Sequence, residues 1–276
     1  MELGISSLGY IIEYGLSNRY QSLTELVYKA TEDCLGFAEK NDIKTVEIVL
    51  EPPEVLYNER QHDFIDLINS YSLKRQVHGP FIDVNLCTHN TIISNASVES
   101  YSKAAQFCNK IEANLLTIHP GLANFLISSI RDHNKVELAN SIYKLLETTK
   151  NLQVSICLEN MPQNCNIMLD EDDIETTFFK INRSDVFFTY DTSHFFTCDG
   201  DVKILWEKFH KIIKNVHIVD NSSKTSDKHP PLGSGKVNFH EIFDQIKAYS
   251  YKGSLIIELS TAKDLVKSIE FLNRFL

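Results

Sequence analysis

The stretch 217–235, HIVDNSSKTSDKHPPLGSG, carries three side chains that suit a borderline-soft divalent metal: His217, Asp227 and His229. It leaves a β-branched run that ends at Val219 and closes on a Gly-x-Gly turn. A histidine ending a strand, followed by an Asp-x-His pair on a short loop, can grip a cation and leave one face open. Taken alone, an Asp-Lys-His tripeptide is an ordinary solvated turn, so further ligands must come from elsewhere in the chain.

Short β-branched runs alternate with longer helix-period segments throughout. Strands are expected over 2–6, 45–50, 75–79, 115–119, 154–159, 186–191, 215–219 and 255–259. Helices are expected over 23–41, 63–72, 98–111, 135–150, 174–179, 202–212, 239–250 and 262–275. In the fourth of these, Val136, Leu138, Ile142, Leu145 and Leu146 fall on one face. Ser97, Asp201 and Asn238 stand where N-caps belong. Eight strand–helix units without a Gly/Ser/Pro linker or internal repeat point to a single (β/α)8 TIM barrel spanning 1–276, an α/β fold. An open doubly wound sheet would call for a glycine-rich first turn, and SSLGYIIEYG is not G-x-G-x-x-G.

Barrel chemistry sits at the C-terminal ends of the strands. There the third strand ends in His78 (VHGPF), the fourth in His119 (TIHPG) and the fifth in Glu159 (CLENMP). The sixth ends in Asp191 and reaches His194 one turn on (YDTSHFF); the seventh ends in His217 and the eighth in Glu258 (IIELS). With Asp227 and His229, five of the ten histidines and four carboxylates face one mouth. A lone histidine is ordinarily a satisfied polar residue, and His62, His89, His133, His210 and His240 are read that way. The set at the mouth is different. Buried carboxylates crowded into one small volume cost several kcal/mol each without compensating charge. Nine N/O ligands and no cysteine suit zinc or manganese, and exceed what one ion can use.

Composition narrows the chemistry further. The net charge of −10 provides no global basic field to recruit nucleic acid. Six cysteines without C-x-x-C spacing read as reduced thiols, the N-terminus resembles no signal peptide, and no apolar run reaches 18 residues. A cytoplasmic protein without a membrane span is the expectation. Oligomeric state is open, since Trp206 and Phe209 could face the barrel or a partner.

The motifs HGPF, HPG, LEN, DTSH, HIVDN and DKHPPLGSG, taken in order, resemble those of the xylose isomerase-like barrels. That superfamily includes the sugar-phosphate isomerases and epimerases and endonuclease IV, of AP endonuclease family 2. The resemblance covers six of the eight strands. By analogy with endonuclease IV it implies three zinc ions. His78 and His119 would hold the first, with Glu159 bridging to a second completed by Asp191, His217 and Glu258. His194, Asp227 and His229 would hold the third. By analogy with the isomerases it implies one ion on Glu159, Asp191, His217 and Glu258. Glu159 and Glu258 then act as base and acid across an enediolate, while His194 touches the substrate.

The active-face loops favour the isomerase or epimerase, with a small sugar or sugar phosphate as substrate. Residues 81–94 contain no Lys or Arg, and 160–173 are acidic. Arg60 stands against three glutamates after the second strand. Such a face would repel a duplex, so DNA is a partner only under the phosphodiesterase alternative. For that alternative, Phe81-Ile82 follows the third strand where a duplex-inserting wedge could sit. Lys224, Lys228 and Lys236 form the one basic cluster at the mouth, suited to a small phosphate. Gly79, Pro120 and Gly121 are expected to shape strand-end turns, and Asn160 and Asn221 to orient the ligands.

Overall fold

The computed structural model describes residues 1–17, 20 and 22–276. Its strands are β1 (Glu2–Ser6), β2 (Thr45–Val49), β3 (Lys74–His78), β4 (Leu115–Ile118), β5 (Ser155–Glu159), β6 (Val186–Asp191), β7 (Ile213–Ile218) and β8 (Ser254–Ile257). They close in sequence order into one parallel barrel, with β8 pairing back onto β1 through Leu3↔Leu255 and Ile5↔Ile257. Parallel strands covered by helices are buried on both faces, which is why β2 (TVEIV) is buried at every position.

The outer ring comprises α1 (Leu8–Leu16), α2 (Leu23–Lys40), α3 (Gln61–Asn69), α4 (Thr91–Lys110), α5 (Arg131–Thr149), α6 (Glu171–Ile181), α8 (Val202–Phe209), α9 (Phe239–Ala248) and α10 (Leu265–Leu272). A one-turn helix, α7 (Thr192–Thr197), lies at the mouth. Asp201 and Asn238 cap α8 and α9 as expected, accepting from Ile204 and Glu241 backbone N–H groups. Trp206 and Phe209 face the barrel and are buried. No helix among the described residues is long and apolar enough to cross a membrane.

Three local expectations change. Ser97 is not a cap but lies mid-helix, donating to Ile93 O at 2.8 Å; the cap is Asn90, seven residues earlier. The first turn of α4 leaves Ile92 and Ile93 exposed, so it carries no core-facing periodicity to mark it. Val136 points to solvent while Leu138, Ile142, Leu145 and Leu146 are buried, because α5 turns a narrower stripe inward. Helix α1 directly follows β1, where two glycines in LGYIIEYGL mask the helical pattern.

Two turns fix the rim. Gly121 adopts φ +95°, and a Cβ there would meet the Asn85 backbone at 2.7 Å. The buried carboxylate of Asp220 accepts from the backbone N–H groups of Gly233 (2.9 Å), Gly235 (2.7 Å) and Val237 (3.2 Å), which ties down the end of the loop after β7. The Gly-x-Gly turn is there because side chains would collide with that anion and with the Phe271 ring. Replacing Asp220 by Ala leaves three backbone donors, part-buried around the loop end, without their acceptor. It is expected to lower stability by about 2–4 kcal/mol in urea unfolding, and a loss under about 0.5 kcal/mol would contradict this role.

Candidate metal centre

The strand ends deliver their side chains to one point. Glu159, Asp191 and His217 are almost fully buried, with Glu258, His78 and His194 close behind. His217 Nδ1 lies 2.8 Å from Glu159 Oε1, 3.7 Å from Glu258 Oε2 and 3.9 Å from Asp191 Oδ2. Two of those oxygens, Asp191 Oδ2 and Glu258 Oε2, are buried and receive no hydrogen bond. An ionised oxygen in that state is costly, and a divalent cation among the four atoms removes the cost. Three carboxylates and one imidazole converging in this way fit zinc or manganese.

The remaining ligand candidates form two further groups around this point. His78 Nε2 and His119 Nε2 lie 3.3 and 3.0 Å from Glu159 Oε2. Asp227 Oδ2 lies 3.1 Å from His194 Nε2 and 2.6 Å from His229 Nε2. His229 in turn places Nδ1 3.2 Å from Glu258 Oε1, linking the third group to the first. All nine residues singled out in the sequence therefore meet at the mouth. The five other histidines stay outside it: His62 beside Asp66, His89 beside His133, His210 on Tyr249 and His240 on Phe275.

Second contacts fix which nitrogen is free. His78 donates from Nδ1 to Gly79 O and His194 from Nδ1 to Asn160 O, each at 2.8 Å. In the neutral ring, each Nε2 then aims a lone pair at a carboxylate oxygen, an arrangement that requires a proton or a metal ion between them. Asn160 also exchanges two hydrogen bonds with the Asp191 backbone, at 3.0 and 2.8 Å. Asn221 donates to Ser193 Oγ, and Ser193 donates to Asp227. Both asparagines thus orient ligand candidates, as their positions in the sequence suggested.

The charges are strongly coupled. Burial opposes ionisation of His78 and His194, but the facing carboxylates more than offset it and raise them to about 9 and about 10. Burial likewise opposes ionisation of Glu258, yet His217 and His229 bring it down to about 2. Desolvation holds Asp191 up at about 7 and pushes His119 down.

Glu47 was not singled out in the sequence. It projects from β2 into the barrel, fully buried, with Oε2 3.2 Å from His217 Nε2. Its signal was a single carboxylate inside TVEIV, where a strand covered on both faces has no use for an unpaired charge. Glu51, at the end of the same strand, accepts from the backbone N–H groups of Phe81 and Ile82 at 3.0 Å and so fixes the wall beside His78.

A cavity of about 670 Å³ opens onto these groups. Its other walls are mainly apolar, including Ile11 and Ile12 of α1, Phe81, Ile82 and Met161. Among the described residues, Lys228 is its one lysine or arginine, beside four histidines. The expected lysine cluster does not form there, because Lys224 pairs with Asp199 at 2.6 Å and lies over the Phe196 ring.

The family described as Xylose isomerase-like TIM barrel matches residues 35–275, and the chain belongs to it. An uncharacterized Methanocaldococcus jannaschii protein, MJ1311, is 26% identical over 100% of this chain and 89% of its own length. The probable endonuclease 4 of Mycoplasma genitalium is 24% identical over 78% of this chain and 79% of its own. Among solved structures, a D-tagatose 3-epimerase-like protein superimposes with TM-score 0.81 at 25% identity, covering 100% and 97% of the two chains. The IolI protein with a bound zinc atom gives TM-score 0.74 at 16% identity, covering 100% and 96%.

Burial opposes ionisation of His217, but Glu47 and Glu159 raise it well above the usual imidazole range, so a metal that takes its Nδ1 must displace a proton. Zinc loading at pH 7.5 is expected to release about one proton or more per chain, read by calorimetry in two buffers of different ionisation enthalpy. Affinity should rise with pH. Binding without proton release would contradict this geometry.

Proposed function

We propose that this chain is a metal-dependent isomerase or epimerase of a small sugar, working by proton transfer through an enediolate. The carrying observation is the convergence of Glu159 Oε1, Asp191 Oδ2 and Glu258 Oε2 on His217 Nδ1, beside a cavity whose described lining carries one Lys or Arg side chain. The likeness to a D-tagatose 3-epimerase-like structure supports the same reading, and the zinc-binding neighbour supports a divalent ion.

A divalent ion held by these four residues supplies Lewis acidity, polarising a carbonyl and making the adjacent C–H acidic. The protein provides the rest. Glu159 and Glu258 serve as the base–acid pair, Glu258 through Oε1, the oxygen it does not turn toward His217; the carboxylate that takes the carbon-bound proton then holds it to return to the enediolate. His194, its Nδ1–H committed to Asn160 O, directs Nε2 to a substrate hydroxyl. The apolar walls exclude water from the reacting carbon. With Lys228 the one lysine or arginine among the described cavity residues and the histidines engaged with carboxylates, the unphosphorylated sugar fits better.

A second reading has its own observation. The His194–Asp227–His229 group is a complete additional ligand set, which a one-ion isomerase does not need. Together with the likeness to a probable endonuclease 4, it supports a three-zinc phosphodiesterase acting at abasic sites in DNA.

Incubation of manganese- or zinc-loaded protein with ketohexoses, including D-tagatose, in D2O separates the two. Deuterium should enter the carbon next to the carbonyl, and Glu258→Gln should slow entry by about 100-fold or more while circular dichroism is unchanged. Absence of exchange, with cleavage of an abasic duplex whose affinity falls steeply with salt, would overturn the first reading for the second.

A further inference from the structure

Glu47 is a buried carboxylate that the proposed reaction leaves unused. Among the described residues its one ion-pair neighbour is His217, whose Nε2 lies 3.1 Å from Oε1 and 3.2 Å from Oε2. No aligned hydrogen bond reaches Oε1. Oε2 accepts from Gln76 Nε2 at 2.8 Å and from Asn215 Nδ2 at 3.2 Å. Those two amides stand on β3 and β7, so three strands hold the carboxylate behind the imidazole.

An imidazole between two sets of acceptors has to choose where its proton goes. At Nδ1 the neighbours are Glu159, Asp191 and Glu258, the candidate ligands. At Nε2 the acceptor is Glu47, which comes within reach of a common point with His217 and Glu258 but not with Asp191; the Asn215 amide nitrogen, 3.0 Å from Nε2, directs its two N–H groups at Glu47 Oε2 and Thr117 Oγ1. A carboxylate behind a metal-bound histidine fixes its tautomer and orientation and raises its donor strength.

We propose that Glu47 is the positioning residue of the centre, accepting the Nε2 proton of His217 so that the Nδ1 lone pair faces Glu159, Asp191 and Glu258. This rests on the metal reading above. It explains why a core strand keeps a carboxylate that a hydrophobic residue would replace at lower desolvation cost. The role is carried entirely through His217: the cavity that opens onto the candidate ligands is not lined by Glu47.

Two measurements on the zinc-loaded full chain test this. Long-range 1H–15N spectra of histidine-labelled wild type should show His217 protonated at Nε2 and metal-shifted at Nδ1, the resonance being identified by its loss in His217→Gln. In chelator competition, Glu47→Gln should weaken zinc binding by about 10- to 100-fold. An affinity changed by less than about twofold would overturn the role of Glu47 and leave the metal reading intact, whereas a proton on Nδ1 would overturn both. Failure of wild type to take up zinc would overturn both. Should Glu47→Gln not fold, the wild-type spectrum alone decides.

Discussion

The structure is organised by one electrostatic constraint: acids and imidazoles from six strand ends lie within about hydrogen-bonding distance of one another, where protons or cations must offset their charge. Glu159 alone faces three histidine nitrogens within 3.3 Å. Protons can fill the gaps, as the raised affinities of His78 and His194 show, but they leave Asp191 Oδ2 and Glu258 Oε2 without partners. A divalent ion would satisfy both oxygens and, once the His217 proton is displaced from Nδ1, its lone pair as well. Buried polar groups of this kind cost stability in a simple core, and that cost is the ground for the proposal that the cluster holds an ion.

Around that point the barrel acts as a clamp. Parallel strands fix the ligand-bearing Cα positions, while backbone carbonyls at Gly79 and Asn160 fix ring orientation. The loop carrying Asp227 and His229 is the least constrained contributor, and Asp220 compensates by holding its far end through three backbone N–H groups. Function and stability are therefore separable along this loop: Asp220 anchors it, whereas Asp227 meets two imidazoles at the mouth.

Much of this was legible in the sequence because parallel barrel strands announce themselves as short β-branched runs, and their C-terminal ends are where polar residues interrupt them. His78, Glu159 and Asp191 are the last residues of their strands, so motif and geometry coincide. Glu47 was missed because it lies two residues inside β2, where position along the strand gives no hint and only its charge is anomalous. The first turn of α4 was missed because a cap and exposed isoleucines, rather than a buried stripe, define it. Lys224 looked available in the sequence because its partner Asp199 lies on a different loop. Apolar periodicity reports the core; pairings across loops leave no trace in it.

Elemental analysis of the purified chain, loaded with zinc or manganese and then dialysed free of excess, tests the central claim most directly. The account predicts about one tightly held ion per chain for a Glu159–Asp191–His217–Glu258 centre, with that ion lost in Asp191→Ala. Protein that retains no metal after loading at neutral pH, while correctly folded, would contradict it.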